Sequence, residues 1–302
     1  MALQTKYSFK TISRALRLPF LSASILPFVF GSLIERSSFS LFAFLVGLSA
    51  VLFAHLSANL ANDFFDSKSG ADWVDKEFYG FFGGSKLIQE GVLHPNFYLG
   101  SSLLCAGISF ACVFFLGLAL KSSFVFLMYF IIIVLSWQYT ALPLRLSYRY
   151  LGEFFVFLLF GPAIVMGAYF IQTGIFPDLK SFFLSLVPGI LTAAILFSNE
   201  VPDYGDNVVA GKNNLVKVFT PEKSYLFYYF LFMLSYSLII AGVFLQLLKP
   251  LVLFSLIFLP IVIKAGNILK RHWREKSKLV KSSEATILLQ ILIVVVLILS
   301  LL

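Results

Sequence analysis

The sequence predicts an all-α integral membrane protein, and three observations carry that prediction. Of 302 residues, 59% are hydrophobic and only 13% are charged, and the mean hydropathy is +0.92. A soluble domain averages roughly 45–50% apolar and about 25% charged residues. Apolar runs close to the ~20 residues that cross a ~30 Å hydrocarbon core as helix recur along the chain. The connections between them alternate between rich and poor in Lys and Arg. The architecture expected is one transmembrane domain over residues 1–302, a bundle of nine helices with cap loops on its cytoplasmic side and the N-terminus inside.

The nine runs fall at 18–35, 41–62, 97–117, 122–141, 151–174, 180–199, 224–247, 249–266 and 285–302. The first follows a segment bearing Lys6, Lys10, Arg14 and Arg17. It is a full span rather than the short apolar core of a cleavable signal. With the N-terminus inside, nineteen of the 23 basic residues fall on one side, and only Arg36, Lys121, Lys180 and Lys249 on the other. Cytoplasmic loops accumulate basic residues, so the crowded side is assigned to the cytoplasm and the C-terminus to the outside. The formal net charge of +8 follows that same side and is densest between Lys270 and Lys281. Attraction to anionic lipid headgroups explains this excess, and no nucleic-acid partner is expected. Cys105 and Cys112 share one span with no CxxC or Cys/His grouping near them, so they are read as packing residues.

Against this background the acidic residues stand out, since ten of the 15 Asp and Glu fall in two regions at the ends of apolar runs. One is Asn62-Asp63-Phe64-Phe65-Asp66 with Asp72 beyond it, and the other Asn199-Glu200-Val201-Pro202-Asp203 with Asp206 beyond it. Both lie on the cytoplasmic side of the predicted topology. If the second span stays helical through Asp66, then Asn59, Asn62, Asp63 and Asp66 share a face. Asn199, Asp203 and either Asp206 or Asn207 share one at the end of the sixth span. Ionisable groups near a membrane interior are costly and tend to be functional. All-oxygen sets of this kind suit Mg²⁺, which binds through one or two carboxylates while phosphates and water complete its octahedron. Lys68, Lys86, Arg145, Arg149, Lys212 and Lys217 occupy the same loops, where metal and basic side chains together would hold a phosphate-rich ligand.

Several ordered segments resemble the UbiA-type intramembrane prenyltransferases. Asn62-Asp63-x-x-Asp66 with Gly70 and Asp72 looks like that family's first aspartate-rich motif, with spacing closer to the 1,4-dihydroxy-2-naphthoate branch of menaquinone synthesis than to the 4-hydroxybenzoate branch. GGSKLIQEG, from Gly83 to Gly91, is similar to its first cytoplasmic loop, and the stretch from Tyr139 to Arg149 leading to Leu151-Gly152-Glu153 to its second. Gly161-Pro162 and Gly167-Ala168-Tyr169 continue the likeness, and NEVPDYGDNVVAGKNNLV from Asn199 to Val216 resembles the second aspartate-rich motif. Where the family places a carboxylate four residues after the first Asp of that motif, this chain has Asn207, with Asp206 one position earlier.

The resemblance implies Mg²⁺-dependent transfer of a polyprenyl group from its diphosphate to an aromatic acceptor, with loss of the ring's carboxyl group in the menaquinone branch. Carried onto this chain, Asp63 and Asp66 with Asn62 hold one metal, Asp203 with Asp206 or Asn207 holds another, and Asp72 supports the first site or the loop over it. Arg145 and Lys212 clamp the diphosphate, with Lys86, Arg149 and Tyr139 next. Asn199 and Tyr169 complete the substrate-binding set. The donor's apolar tail would stay among membrane lipid. Another acceptor, such as 4-hydroxybenzoate or a different quinone or lipid precursor, would use the same machinery. An ion-coupled transporter is the reading from a different class, but it would place its polar groups near mid-span on interrupted helices, not at the cytoplasmic boundary.

Overall fold

The structure is a computed structural model that describes residues 8–302, so Lys6 of the basic set lies outside the described residues. Among the described residues the regular elements are all helices, and the single strand-like pairing is an isolated bridge between Arg149 and Asn213. Helix α1 (Phe9–Ala15) is capped by the Ser8 hydroxyl, which accepts from the Thr11 N–H at 3.1 Å. Arg17 then turns the chain with φ +51°, and the next segment, Leu18–Leu33, leaves at 52° to α1. Its regular part is α2 (Ser22–Leu33).

Helix α3 (Leu41–Ser69) has 29 residues, roughly 43 Å at 1.5 Å per residue, so it outruns the hydrocarbon core and carries its last turns into the cap. The helix continues through Asp66, as the acidic spacing requires, and ends where Gly70 adopts φ +89° and returns its N–H to the Asp66 carbonyl. Helix α4 (Pro95–Ala119) runs back along α3. Helix α5 (Phe124–Gln138) covers the predicted span 122–141 but has only 15 residues, roughly 22 Å. It gives way to a turn at Tyr139 and Thr140, ahead of Pro143.

Helix α6 (Gly152–Thr173) contains a one-turn π-bulge over Leu159–Ala163, where Pro162 has no N–H to give. Helix α7 (Leu179–Glu200) is the most buried span, packed by α6, α2, α10 (Ser224–Phe244) and α12 (Lys276–Leu301). Gly161 permits its close approach to α6, since a Cβ on Gly161 would stand 2.7 Å from the Gly189 Cα. After α7 come two short helices, α8 (Tyr204–Val209) and α9 (Leu215–Phe219). Helix α11 (Leu259–His272) follows a tightly wound stretch from Pro250, and α12 returns against it and against α2 to close the bundle.

Among the described residues seven helices are long and apolar enough to cross a membrane, and the bent pair through Arg17 makes an eighth. The predicted span 122–141 corresponds to the short α5, which is not among them, so seven or eight crossings are seen where nine were expected. Outward-facing apolar side chains such as Leu104, Phe115, Phe130, Phe244, Phe254 and Ile257 are more than half exposed, the expected surface for helices solvated by lipid. The ends of α3, α5 and α7 and the starts of α6 and α12 meet at one end of the bundle, as the contacts below show. At the other end Arg36 donates to the Leu302 carbonyl at 3.1 Å.

Candidate active site

A cavity of about 680 Å³ opens among the convergent helix ends and runs down into the bundle. Its mouth is lined by Arg17, Asn62, Asp66, Asp72, Asn199, Glu200, Asp203, Asp206, Asn207 and Lys212, and its depth by apolar residues including Phe28, Gly47, Val51, Val113, Phe160 and Ile171. Asp66 and Gly47 lie nineteen positions apart on α3, so the cavity follows that helix for roughly 28 Å. It joins a charged mouth to an apolar channel nearly as long as a bilayer core is thick.

The first acidic cluster sits on the last turns of α3. Asp66 is 4% exposed and accepts from the Tyr148 hydroxyl at 2.8 Å, while Lys212 Nζ stands 3.3 Å from its other oxygen. Asp63 is also buried, but it is turned off the cavity wall and held by the Arg17 guanidinium and by the Ser85 N–H at 3.2 Å. Asn62 faces the cavity with no side-chain hydrogen bond to the protein. Asp72 lies in the loop beyond Gly70. Its carboxyl presses against Gly84, where a Cβ would meet it at 2.5 Å, and Lys86 Nζ stands 3.8 Å away while donating to the Asp72 carbonyl at 3.0 Å. Burial, and then the nearby Asp66 and Asp63 charges, push the Asp72 carboxyl up to about 8.

The second cluster is assembled differently from the single helix face that its spacing suggests. Helix α7 ends at Glu200, Pro202 interrupts the backbone, and Asp206 and Asn207 ride on the separate helix α8. The turn still delivers Asn199, Asp203, Asp206 and Asn207 to one cavity wall. Asp203 Oδ2 accepts from the Gly83 N–H at 2.8 Å, while Oδ1 is buried without a partner. Burial lifts this carboxyl to about 6 against the opposing pull of the Gly83 N–H, Lys276 and Lys86. Asp206 is tied to Lys276, which also reaches Asp75, both at 2.7 Å. The Asn199 Oδ1 is likewise buried and unpartnered.

These clusters fit a divalent cation shared with a ligand better than an ion enclosed by protein. Among the described residues no three His, Cys, Asp or Glu side chains come together to hold one. What the walls offer are unpaired carboxylate and amide oxygens of Asp203 and Asn199, beside Asp66 and Asn62. That is the partial oxygen set for a hard ion that keeps waters and binds substrate phosphates.

Of the basic candidates, only Lys212 lines the cavity. Burial pulls its ammonium down, but Asp66 and Tyr148 outweigh that and hold it above the ordinary lysine value. Lys86 is buried at 2% exposure behind the Gly83–Gly84 loop. Arg145 stacks on the Tyr148 ring at 4.1 Å and touches the site only through it. Arg149 is exposed and donates to the Pro143 carbonyl at 3.1 Å, and Tyr169 packs in the apolar core, so the structure brings neither to the cavity. Tyr139 does line it.

Four features went unassigned in the sequence. Arg17 reads there as one more basic residue before the first span, yet it lines the mouth. Tyr148 lies in the second loop without a role. Glu200 sits inside the second motif and Glu153 beyond the second loop. His55 lies on the cavity side of α3 and makes an interhelical hydrogen bond to α2. Its Nδ1 pairs with Ser24 Oγ at 2.6 Å and both residues line the channel.

The UbiA prenyltransferase family profile matches residues 24–293. The chain belongs to the UbiA prenyltransferase family. It is 30% identical over 250 residues to UbiA prenyltransferase domain-containing protein 1 of Danio rerio, covering 79% of this chain and 70% of that one. It is 27% identical over 197 residues to 1,4-dihydroxy-2-naphthoate octaprenyltransferase of Bacillus subtilis, covering 65% and 61%. Among solved structures, a UbiA homolog from Archaeoglobus fulgidus bound to GPP and Mg²⁺ shares the fold with a TM-score of 0.63 at 17% identity, over 95% of this chain and 99% of that one. The A. fulgidus chain thus shares this all-helical architecture.

Proposed function

We propose that this chain transfers a polyprenyl group from a prenyl diphosphate to an aromatic acceptor, using Mg²⁺, at a site that faces the cytoplasm. The carrying observation is the pairing of the two acidic clusters across the mouth of an apolar channel roughly 28 Å long. A diphosphate matches the mouth and a polyprenyl tail matches the channel. The nineteen-to-four division of basic residues supports the orientation. The A. fulgidus homolog bound to GPP and Mg²⁺ supports the donor class and the ion.

In this reading Asp66, Asp203 and Asp206, with Asn62, Asn207 and Asn199, would hold Mg²⁺ together with the diphosphate, and Asp72 and Asp63 support the first cluster. Bound there, Mg²⁺ supplies charge neutralisation for the leaving diphosphate. Lys212 and Arg17 place positive charge at the mouth beside the phosphates. Tyr148 fixes the Asp66 carboxylate, and Lys86 braces the Gly83–Gly84 loop that covers the site. The apolar channel walls keep water from the allylic carbon as its bond to oxygen weakens, so the ring of the acceptor captures it.

For the acceptor, the Gly70 and Asp72 spacing and the likeness to the B. subtilis enzyme support 1,4-dihydroxy-2-naphthoate, with loss of its carboxyl group and a place in menaquinone synthesis. The D. rerio relative, at 30% identity, has a name that specifies no acceptor, and it supports equally the reading in which another ring is prenylated. Mass analysis of the product from purified protein, Mg²⁺, a prenyl diphosphate and a panel of acceptors separates these. A naphthoate product that retains its carboxyl group overturns the menaquinone-type assignment.

A further inference from the structure

The diphosphate chemistry leaves two neighbouring carboxyl groups unused, one in the cavity wall and one behind it. Glu200, the last residue of α7, is 4% exposed and lines the cavity, and neither of its carboxyl oxygens meets a hydrogen-bonding group of the protein other than the neighbouring Glu153 carboxyl. The cation near it, Lys212, is committed to Asp66. Glu153, at the start of α6, lies beside Glu200 and is also 4% exposed. Its Oε1 accepts from the Leu215 N–H at 2.9 Å, which ties it to α9, and its Oε2 has no partner. Tyr139, at the end of α5, lines the same cavity. Gly152 keeps these groups accessible to one another. A Cβ there would stand 3.3 Å from the Tyr139 hydroxyl and 3.8 Å from Glu200 Oε1.

A buried polar group without a partner is costly, and more so in a low-dielectric site. One that persists in the wall of a binding cavity marks a place where a ligand completes the pairing. The diphosphate does not qualify, because two acidic side chains lying side by side offer it no positive charge, and its cations at the mouth are Lys212 and Arg17. What pairs with a carboxylate oxygen is an O–H or N–H donor, and an aromatic ring rich enough in electrons to attack an allylic carbon commonly carries hydroxyl groups.

We propose that Glu200, flanked by Tyr139 and backed by Glu153, is the subsite for a hydroxyl group of the acceptor. The inference rests on the prenyl-transfer reading above. A Glu200 oxygen accepts the acceptor's O–H, which orients the ring and raises its electron density. The new carbon–carbon bond forms as the allylic C–O bond to diphosphate breaks. The ring then loses a proton from the attacked carbon to the departing diphosphate or, where a carboxylate occupied that carbon, loses carbon dioxide, and the electron pair left behind restores the aromatic ring. Glu200 ends the cycle unchanged.

The test uses the full-length protein in detergent with Mg²⁺, geranylgeranyl diphosphate, and either 1,4-dihydroxy-2-naphthoate or its two mono-O-methyl ethers. The wild-type protein is expected to reject one ether by at least ~10-fold in kcat/KM, because methylation leaves the Glu200 oxygen unpaired. In Glu200→Leu that discrimination disappears and the acceptor KM rises, while the donor KM and the half-saturating Mg²⁺ concentration hold. Glu200→Gln, which preserves volume, weakens the discrimination if Glu200→Leu does not fold. Gly152→Ala raises the acceptor KM with Glu200 intact. Discrimination unchanged in the Glu200 variants, or a donor KM that rises in step with the acceptor KM, overturns the proposal. Absence of transfer by the wild-type protein with every acceptor sinks the prenyl-transfer reading and this subsite with it. Wild-type transfer with unaltered selectivity in the variants sinks the subsite alone.

Discussion

The Gly83 N–H donates a 2.8 Å hydrogen bond to Asp203 Oδ2, joining the loop after the first acidic motif to the second motif 120 residues later. Asp203 therefore has two duties, one oxygen fastening the loop and the other, unpaired, facing the ligand. Asp203→Asn keeps an acceptor for Gly83 but loses the charge. Transfer is expected to fall on the order of 100-fold, with the 70–94 loop as resistant to limited proteolysis as before. Asp203→Leu removes both functions, and cleavage in that loop accelerates. Equal protease sensitivity of the two variants would contradict the fastening role.

Tyr148 links three groups of the site. Its hydroxyl lies 2.8 Å from Asp66 and 2.6 Å from Ser69, and its ring carries Arg145 at 4.1 Å and Lys212 at 5.5 Å. Tyr148→Phe removes the hydroxyl alone. A hydrogen bond to a charged group contributes about 1.5–3 kcal/mol, so kcat/KM for the donor is expected to fall about tenfold or more. Because Arg145 reaches the site only through this ring, Arg145→Ala should impair transfer less than Lys212→Met, and less again in the Tyr148→Ala background. Steady-state kinetics of the single and double variants decide it.

Burial pushes the Asp203 carboxyl up to about 6 and, together with the nearby Asp66 and Asp63 charges, the Asp72 carboxyl up to about 8, from an ordinary value of 3.8. Each must lose its proton to face a cation, so Mg²⁺ affinity is expected to rise as pH increases from about 5.5 to 8.5, with protons released on binding. The sign for stability is opposite. The folded protein without metal holds protons that the unfolded chain has released above pH 3.8. The stability these groups contribute is therefore fully present below that pH and is lost as pH rises toward 8. Mg²⁺ calorimetry in two buffers of different ionisation enthalpy measures the release. No proton release at pH 6.5 would contradict these assignments.

Gly161 and Gly189 let α6 and α7 cross with backbones in contact, a Cβ on Gly161 standing 2.7 Å from the Gly189 Cα. Gly161→Leu inserts a side chain where no space exists. Overpacking of this kind costs about 1–3 kcal/mol or more, and a lower thermal midpoint in detergent is the expected readout. Gly167→Leu is the control, since nothing lies within 4 Å of a Cβ there.

Much of this arrangement was legible in the sequence because periodicity and spacing are local signals. The run from Asn59 to Asp66 could share a face only on a helix that continues past the apolar span, and α3 does continue, to Ser69. Local signals fail where long-range geometry decides. Asp203 and Asn207 share a wall across a proline turn rather than along one helix. Arg145 and Arg149 carry similar charges four residues apart, yet one stacks on Tyr148 and the other faces solvent. Arg17 enters the site because a positive-φ turn swings it over Asp63, and no charge pattern in the N-terminal segment distinguishes it from Arg14. Helix α5 is shorter than its predicted span because hydropathy reads the apolar character of residues 122–141 as one run, while the backbone is helical only from Phe124 to Gln138.

The most direct test of the central claim is release of diphosphate with formation of a prenylated product. Purified protein is incubated with Mg²⁺, a prenyl diphosphate and an aromatic acceptor, and the wild type is compared with Asp66→Ala. The expected result is Mg²⁺-dependent product in the wild type, none on chelation, and none in a folded Asp66→Ala protein. Undiminished transfer by Asp66→Ala, or transfer that persists after Mg²⁺ is removed, would contradict it.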